Sequence, residues 1–300
     1  MRRFEEMSQD LLAEPLAPRP SLAALAQRNR RRRRRHLAGA TGSLVVAAGL
    51  TWAGVAVASQ RGQPESPGST ELAAYISTAT QVPDQVLDEV GLPSSVVPPR
   101  PLAGQAPLTE AGKPLVIFLG AGYCPFCAVE RWALVIALSK FGSFSKLGQE
   151  VSSASTDVYP GLKSWSFEGS SYSSPYLSFA PADTASSATQ LFPKLQPLQS
   201  RVLAKYDAPT YTLTEKGAIP FVDIGNRYLQ VGASAPASVL EGLSLDQIAS
   251  DLGDPASPVA IALDGAANYL IATFCSMTDQ RPSHVCSLPT IVRAEARPAG

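Results

Sequence analysis

Hydrophobic and polar positions change period several times along this chain, and three apolar stretches stand out. The first, Leu37 to Gln60, runs twenty-four residues without a charge and is rich in Ala, Val, Leu and Gly. As a helix at about 1.5 Å per residue it would reach roughly 36 Å, enough for a hydrocarbon core of about 30 Å. The second, Lys113-Pro114-Leu115-Val116-Ile117-Phe118-Leu119-Gly120, is closed by the turn Gly120-Ala121-Gly122-Tyr123 and predicts a short buried strand. The third, Ala128 to Lys140, spreads Val129, Trp132, Leu134, Val135, Ile136 and Leu138 over every face. It predicts a buried helix.

Weaker patterns fill the rest. Gly62 to Thr70 has the composition of a linker. Pro83 to Val90 predicts a helix, with Pro83 suited to its first turn and Gly91 to its C-cap. Leu92 to Pro107 carries five prolines and is extended or looping. The compact domain is expected to begin near Gly104. Within it, Gln149 to Ala208 is rich in Ser, Tyr and Pro and reads as an insertion. Strand-like pieces fall there at Lys163–Phe167 and Tyr176–Phe179, with a helix near Leu191–Tyr206. It is expected to cover the core with aromatics, the alternative being that Tyr172 or Tyr176 faces a substrate. Ile219-Pro220 then leads into an apolar strand, Arg227–Val231 forms another, and helices follow near Leu245–Leu252 and Pro258–Phe274.

Charge gives the first stretch a direction. Arg28, Arg30 and the unbroken run Arg31 to Arg35 directly precede it. The positive-inside rule then puts residues 1–36 in the cytoplasm as a basic tail and residues 37–60 across the membrane as a signal anchor. Residues 61–103 become an extracytoplasmic linker and N-terminal segment, and 104–292 the compact domain, with its insertion at about 149–208. Ala56-Val57-Ala58 resembles a signal-peptidase site, but the apolar region exceeds the usual 7–15 residues or so, which favours a retained anchor. The chain's 25 basic and 25 acidic residues are unevenly divided: residues 1–61 hold eleven and four, leaving fourteen and twenty-one outside. A balance of about −7 argues against nucleic acid or anionic lipid as the partner of the external part.

Candidate chemistry lies between the second and third stretches, in Cys124-Pro125-Phe126-Cys127. A C-x-x-C pair at a strand-to-helix junction is the thioredoxin-type redox arrangement. Cys124 would take the N-cap and Pro125 the first helical position, where a missing N–H costs nothing. Unpaired N–H groups and the helix dipole there favour a thiolate. Cys124 is therefore the expected nucleophile and Cys127, one turn deeper, the resolving thiol. Tyr123 and Ile219 are expected to face substrate. Pro220, at the head of its strand, is expected to be a cis-proline against the two sulfurs, since thioredoxin-like proteins place one there.

All four cysteines follow the membrane segment, in a compartment where disulfides persist. Four cysteines allow three connectivities, of which local pairing, Cys124 with Cys127 and Cys275 with Cys286, is the plainest. Other site types fit less well. A zinc site from all four cysteines would need a ten-residue gap where two to four or so is usual. A Cys–His hydrolase would need His284 beside Cys124, and the chain's second histidine, His36, borders the membrane.

The segments Gly120-Ala121-Gly122-Tyr123-Cys124-Pro125-Phe126-Cys127-Ala128-Val129-Glu130-Arg131-Trp132-Ala133-Leu134, Phe141-Gly142, Tyr172-Ser173-Ser174-Pro175-Tyr176 and Pro220-Phe221-Val222-Asp223-Ile224-Gly225-Asn226 form a joint pattern, together with Asn268-Tyr269, Cys275 and Cys286. The pattern resembles the "domain of unknown function 929" family, membrane-anchored thioredoxin-like proteins of bacteria and archaea, over roughly residues 75–290. More distantly the chain is similar to periplasmic disulfide-forming and disulfide-isomerising enzymes. The resemblance implies a thioredoxin-like α/β fold with an insertion between the C-x-x-C helix and the cis-proline strand, and a redox-active pair. Thioredoxin buries a carboxylate about six residues before its first cysteine, where this chain has Phe118. Glu130 could replace it only if the helix turned it toward Cys127; a solvated Glu130 is expected.

Together these readings describe a membrane-anchored extracytoplasmic thiol–disulfide oxidoreductase. It would act on cysteine-containing exported proteins or a membrane redox partner, with no cofactor and no metal because the dithiol carries the electrons. The alternative is a binding or scaffold module in which Cys124–Cys127 is a structural bridge.

Overall fold

A computed structural model describes residues 69–153, 158–183, 185–187, 190–191, 195–212 and 217–296. The basic tail and the apolar stretch 37–60 lie outside the described residues. Two helices come first, α1 (Ser69–Thr80) and α2 (Asp84–Val90), then strands β1 (Arg100–Pro101), β2 (Thr109–Glu110) and β3 (Lys113–Gly120), then helix α3 (Pro125–Ser139). Short strands follow: β4 (Ser143–Ser145), β5 (Gly148–Val151), β6 (Lys163–Ser166) and β7 (Ser171–Ser173), with β8 (Ser178–Asp183) longer. After the β9 (Ala185–Ser187) and β10 (Gln190–Leu191) pair come α4 (Pro197–Tyr206), α5 (Pro209–Thr212), β11 (Phe221–Ile224) and β12 (Tyr228–Val231). A 3-10 turn at Ala237–Leu240 leads to α6 (Leu245–Asp251), α7 (Pro258–Met277), α8 (Ser283–Cys286) and α9 (Pro289–Glu295).

The fold is mixed α/β around β3. On one side β3 pairs antiparallel with β11, Leu119 opposite Phe221 and Val116 opposite Ile224, and β12 and β1 continue the sheet outward. Elsewhere β3 pairs parallel with β8, from Leu115 opposite Ser178 to Gly120 opposite Asp183, and its first residues pair with β2. Successive side chains of a strand point to opposite faces. Leu115, Ile117 and Leu119 accordingly pack with Val202, Tyr206 and Phe221, while Val116 and Phe118 join the larger core built by α3 and α7. Both faces are covered, which is why β3 is apolar without alternation.

Two expectations need correction. The stretch 149–208 is not an insertion throughout, because β8 belongs to the central sheet and α4 covers one of its faces. The parallel β3–β8 pairing requires a long crossover, and α3 with β4 to β7 supplies it. The compact part also begins before Gly104. Leu87 of α2 is fully buried, and the Asn268 amide donates to the carbonyls of Leu87 and Gly91, both at 2.8 Å.

The helix caps follow from the residues at them. Gly91 takes φ +69° at the end of α2, a left-handed value that suits glycine, and its N–H donates to the Leu87 carbonyl at 3.2 Å. Ser257 caps α7 by accepting from the Ala260 N–H at 2.9 Å. Among the described residues α7 is the one helix long and apolar enough to cross a membrane, and 89% of its apolar window is buried inside the protein. It is a core helix packed on α3 and α9.

Candidate active site

Strand β3 ends at Gly120, and the chain turns so that the Cys124 N–H donates to the Ala121 carbonyl at 3.1 Å. Cys124 then stands at the N-cap of α3 with extended backbone (φ −81°, ψ 121°), and Pro125 occupies the first turn. The Cys124 Sγ takes the role a serine oxygen has in an ordinary N-cap, accepting from the Cys127 N–H at 3.3 Å. Both cysteines are free thiols, Cys124 5% exposed and Cys127 fully buried.

The two thiols are pushed in opposite directions. A hydrogen bond from the Cys127 side chain is the largest influence lowering the Cys124 thiol, and the backbone N–H groups of Cys127 and Phe126 and the charge of Arg131 add to it against the effect of burial. Burial pushes the Cys127 thiol well up, and the hydrogen bond and charge of Cys124 push it further. The outer sulfur is thus the better thiolate and the inner one the better proton holder.

Ile219–Pro220 is a cis peptide bond. Because Phe221 lies opposite Leu119, Pro220 comes level with Gly120, at the end of the sheet from which the chain leads to Cys124. Pro220 is buried and Ile219 half-buried. Tyr123 is half-buried, and its carbonyl accepts from the Ser153 N–H at 2.9 Å. Phe126 is 41% exposed and meets Tyr159 edge-on at 6.2 Å, making an apolar rim at the motif. The Tyr172 hydroxyl donates to the Leu138 carbonyl at 2.8 Å and ties β7 to the end of α3. Tyr176 packs its ring edge-on to Phe141.

Cys275 and Cys286 are joined in a disulfide, which separates them from Cys124 and Cys127 and leaves no four-cysteine metal set. His284 is exposed on α8, the short helix that Cys286 ends.

Glu130 is the largest departure from expectation. It is fully buried and held by Ser234, and burial, the chief cause, raises its carboxyl to about 7. Its neighbour Arg131 is equally buried and forms an ion pair with Asp183 of β8. The sequence carried a signal for both. A helix apolar on every face has no polar side to give Glu130 and Arg131, so both charges must be enclosed.

Residues 103–275 match the family described as domain of unknown function (DUF929). The chain belongs to that family. The match runs from just before β2 to Cys275 and takes in β3, both motif cysteines, Arg131, Asp183 and Pro220, so the whole site lies within the family's domain. No curated protein and no solved structure matches the chain.

Proposed function

We propose that this family member is a membrane-anchored, extracytoplasmic thiol–disulfide oxidoreductase of thioredoxin-like fold, acting through Cys124 and Cys127. The observation that carries the reading is the Cys124 sulfur at the N-cap of α3, accepting the Cys127 N–H with the second thiol one turn below. The sheet supports it too. A strand before the motif, a parallel neighbour after it, and two antiparallel strands beginning at a cis-proline are what a thioredoxin-like fold would call for.

In the forward step the Cys124 thiolate attacks a sulfur of a substrate disulfide, which releases one substrate thiolate and forms a mixed disulfide. Cys127 gives up its proton and attacks the Cys124 sulfur, releasing the second substrate thiol and leaving the Cys124–Cys127 disulfide. The reverse sequence oxidises a substrate dithiol. Exported proteins with cysteines, or a membrane redox partner, are the substrate class proposed, and the dithiol needs no further cofactor. Residues 1–36 are proposed to be cytoplasmic, with the anchor at 37–60.

A Cys127→Ser variant tests the reading directly, because it cannot resolve the mixed disulfide. Captured proteins on Cys124 that disappear on reduction are expected, and a variant that captures nothing in cells argues against the reading.

One observation favours a second reading. Cys124 is only 5% exposed, as would suit a structural bridge in a binding module. A potential below about −300 mV would place the pair with structural disulfides, and one well above it with exchanging pairs.

A further inference from the structure

The turn that delivers Cys124 rests on the Phe118 ring, 2.5 Å from where a Cβ on Gly120 would stand, and on two acidic side chains. A Cβ added to Gly120 would come within 3.3 Å of the Asp183 carboxylate, and one added to Gly122 within 2.5 Å of the Glu150 carboxylate. Arg131 pairs with the first of these acids and acts on the second through its charge. It stands one helical turn after Cys127, with its guanidinium paired to Asp183 and 5.5 Å from the centre of the Phe118 ring. Phe118 of β3 backs the cation with its ring, and the acid comes from β8. Nε and Nη1 of Arg131 are buried with no hydrogen-bond partner among the described residues. A cation so placed keeps part of its field for other anions, and in a low-dielectric interior that field is weakly screened.

We propose that Arg131 is a positioning residue for the cysteine pair, its buried charge holding the Cys124 thiolate and so setting the dithiol–disulfide equilibrium, with Asp183 as the counterweight that limits it. The inference rests on the oxidoreductase reading. Arg131 favours the thiolate form of both cysteines, and its charge also favours the ionised form of Glu150, where Asp183 opposes it. Arg131 is thus the charged side chain that acts on both sulfurs, and Asp183 is the ion-pair partner that draws on its charge. Glu130 turns away to Ser234. Stabilising a thiolate stabilises the reduced form, which makes the pair a stronger oxidant.

The test is equilibration of the full-length protein with mixtures of glutathione and glutathione disulfide. Two glutathione thiols supply two electrons and two protons; the Cys124–Cys127 bond breaks and one glutathione disulfide forms. Arg131→Met is expected to move the equilibrium toward the protein disulfide by about tenfold, which is about 30 mV. Asp183→Asn is expected to move it several-fold the other way, and Arg131→Lys to keep it within about threefold of the parent. Ultraviolet thiolate absorbance should follow in the same order. Opposite signs are the decisive feature, since loss of an ion pair that only holds the fold together would affect both single variants alike. Should Arg131→Met fail to fold, Asp183→Asn against Arg131→Lys retains the contrast. Variants that leave the equilibrium unmoved, or that both move it the same way, overturn the inference while the oxidoreductase reading stands. A parent pair that never exchanges with glutathione overturns the reading itself.

Discussion

Glu130 Oε2 accepts two hydrogen bonds from Ser234, one from its backbone N–H at 2.9 Å and one from its hydroxyl at 2.7 Å. The pair ties the C-x-x-C helix to the loop after β12, 104 residues away, whose own carbonyl at Ser234 accepts from the Val97 N–H. Glu130 Oε1 is buried with no partner among the described residues, so the site favours a protonated acid.

The consequence is a pH-dependent stability with a definite sign. Burial raises the Glu130 carboxyl from 4.5 to about 7, so the folded protein holds a proton that the unfolded chain releases. This contribution is complete below about 4.5, falls as pH rises through about 7, and amounts to about 3 kcal/mol at most. Glu130→Gln keeps an acceptor for Ser234 but cannot ionise. Urea midpoints for parent and variant should therefore diverge between pH 5 and pH 8 or so, with the variant the flatter. Parallel profiles would mean that the carboxyl titrates normally.

The split between the two thiols is open to chemical labelling. Cys124 should be alkylated first, with a pH profile below the ordinary thiol range, because the Cys127 hydrogen bond and the N-cap hold its thiolate. Cys127 should react only at high pH or after unfolding, since burial holds its proton. Mass mapping of singly labelled protein decides this. Equal labelling of both would remove the division into nucleophile and resolving thiol.

What could be read from sequence was whatever a local pattern determines. β3 and α3 were legible because β3 is an unbroken apolar run after Lys113 and α3 has apolar residues on every face, and the turn between them because Gly120, Gly122 and Pro125 are conformational punctuation. Pro83 and Gly91 bracketed α2 for the same reason. β8 was not legible as a central-sheet strand. Its run Ser-Phe-Ala-Pro-Ala-Asp has one large apolar side chain, and Pro181 inside it argues against a strand. It is tolerated because, among the described residues, β8 pairs with β3 alone, so the side facing away asks for no N–H.

The charged part of the site lay further beyond reach. Arg131 and Asp183 are 52 residues apart, and no local signal joins a helix cation to the last residue of an edge strand. Sequence placed the sulfurs and the proline but not the charges around them. Those depend on which face of α3 meets β8, which is a tertiary property.

Gly142, in the Phe141-Gly142 pair of the family pattern, has a packing reason. A Cβ there would lie 2.3 Å from the Ser173 carbonyl oxygen and 2.6 Å from Ser174 Cβ. The first of these is backbone, in the strand that lies against the end of α3, and it cannot yield without moving β7. Gly142→Ala should therefore cost about 1–3 kcal/mol. Gly122→Ala, by contrast, has the end of the flexible Glu150 side chain as its nearest neighbour and should cost less. Thermal melts of the two variants side by side check the order, and a harmless Gly142→Ala would mean that β7 adjusts freely.

The Cys275–Cys286 disulfide should be separable from the chemistry. It joins the end of α7 to α8, closing a loop of 11 residues' separation. Both cysteines are buried, so the bridge also pins the C-terminal helices on which α2 depends through Thr290, whose N–H donates to Asp88 at 2.8 Å. Closing a loop of this size contributes about 2–3 kcal/mol in the chain-entropy account. The double Cys→Ser variant should melt earlier by a margin of that order while Cys124 still exchanges with glutathione. Were exchange lost with melting unchanged, the second pair would be passing electrons to or from the first instead of bracing the fold.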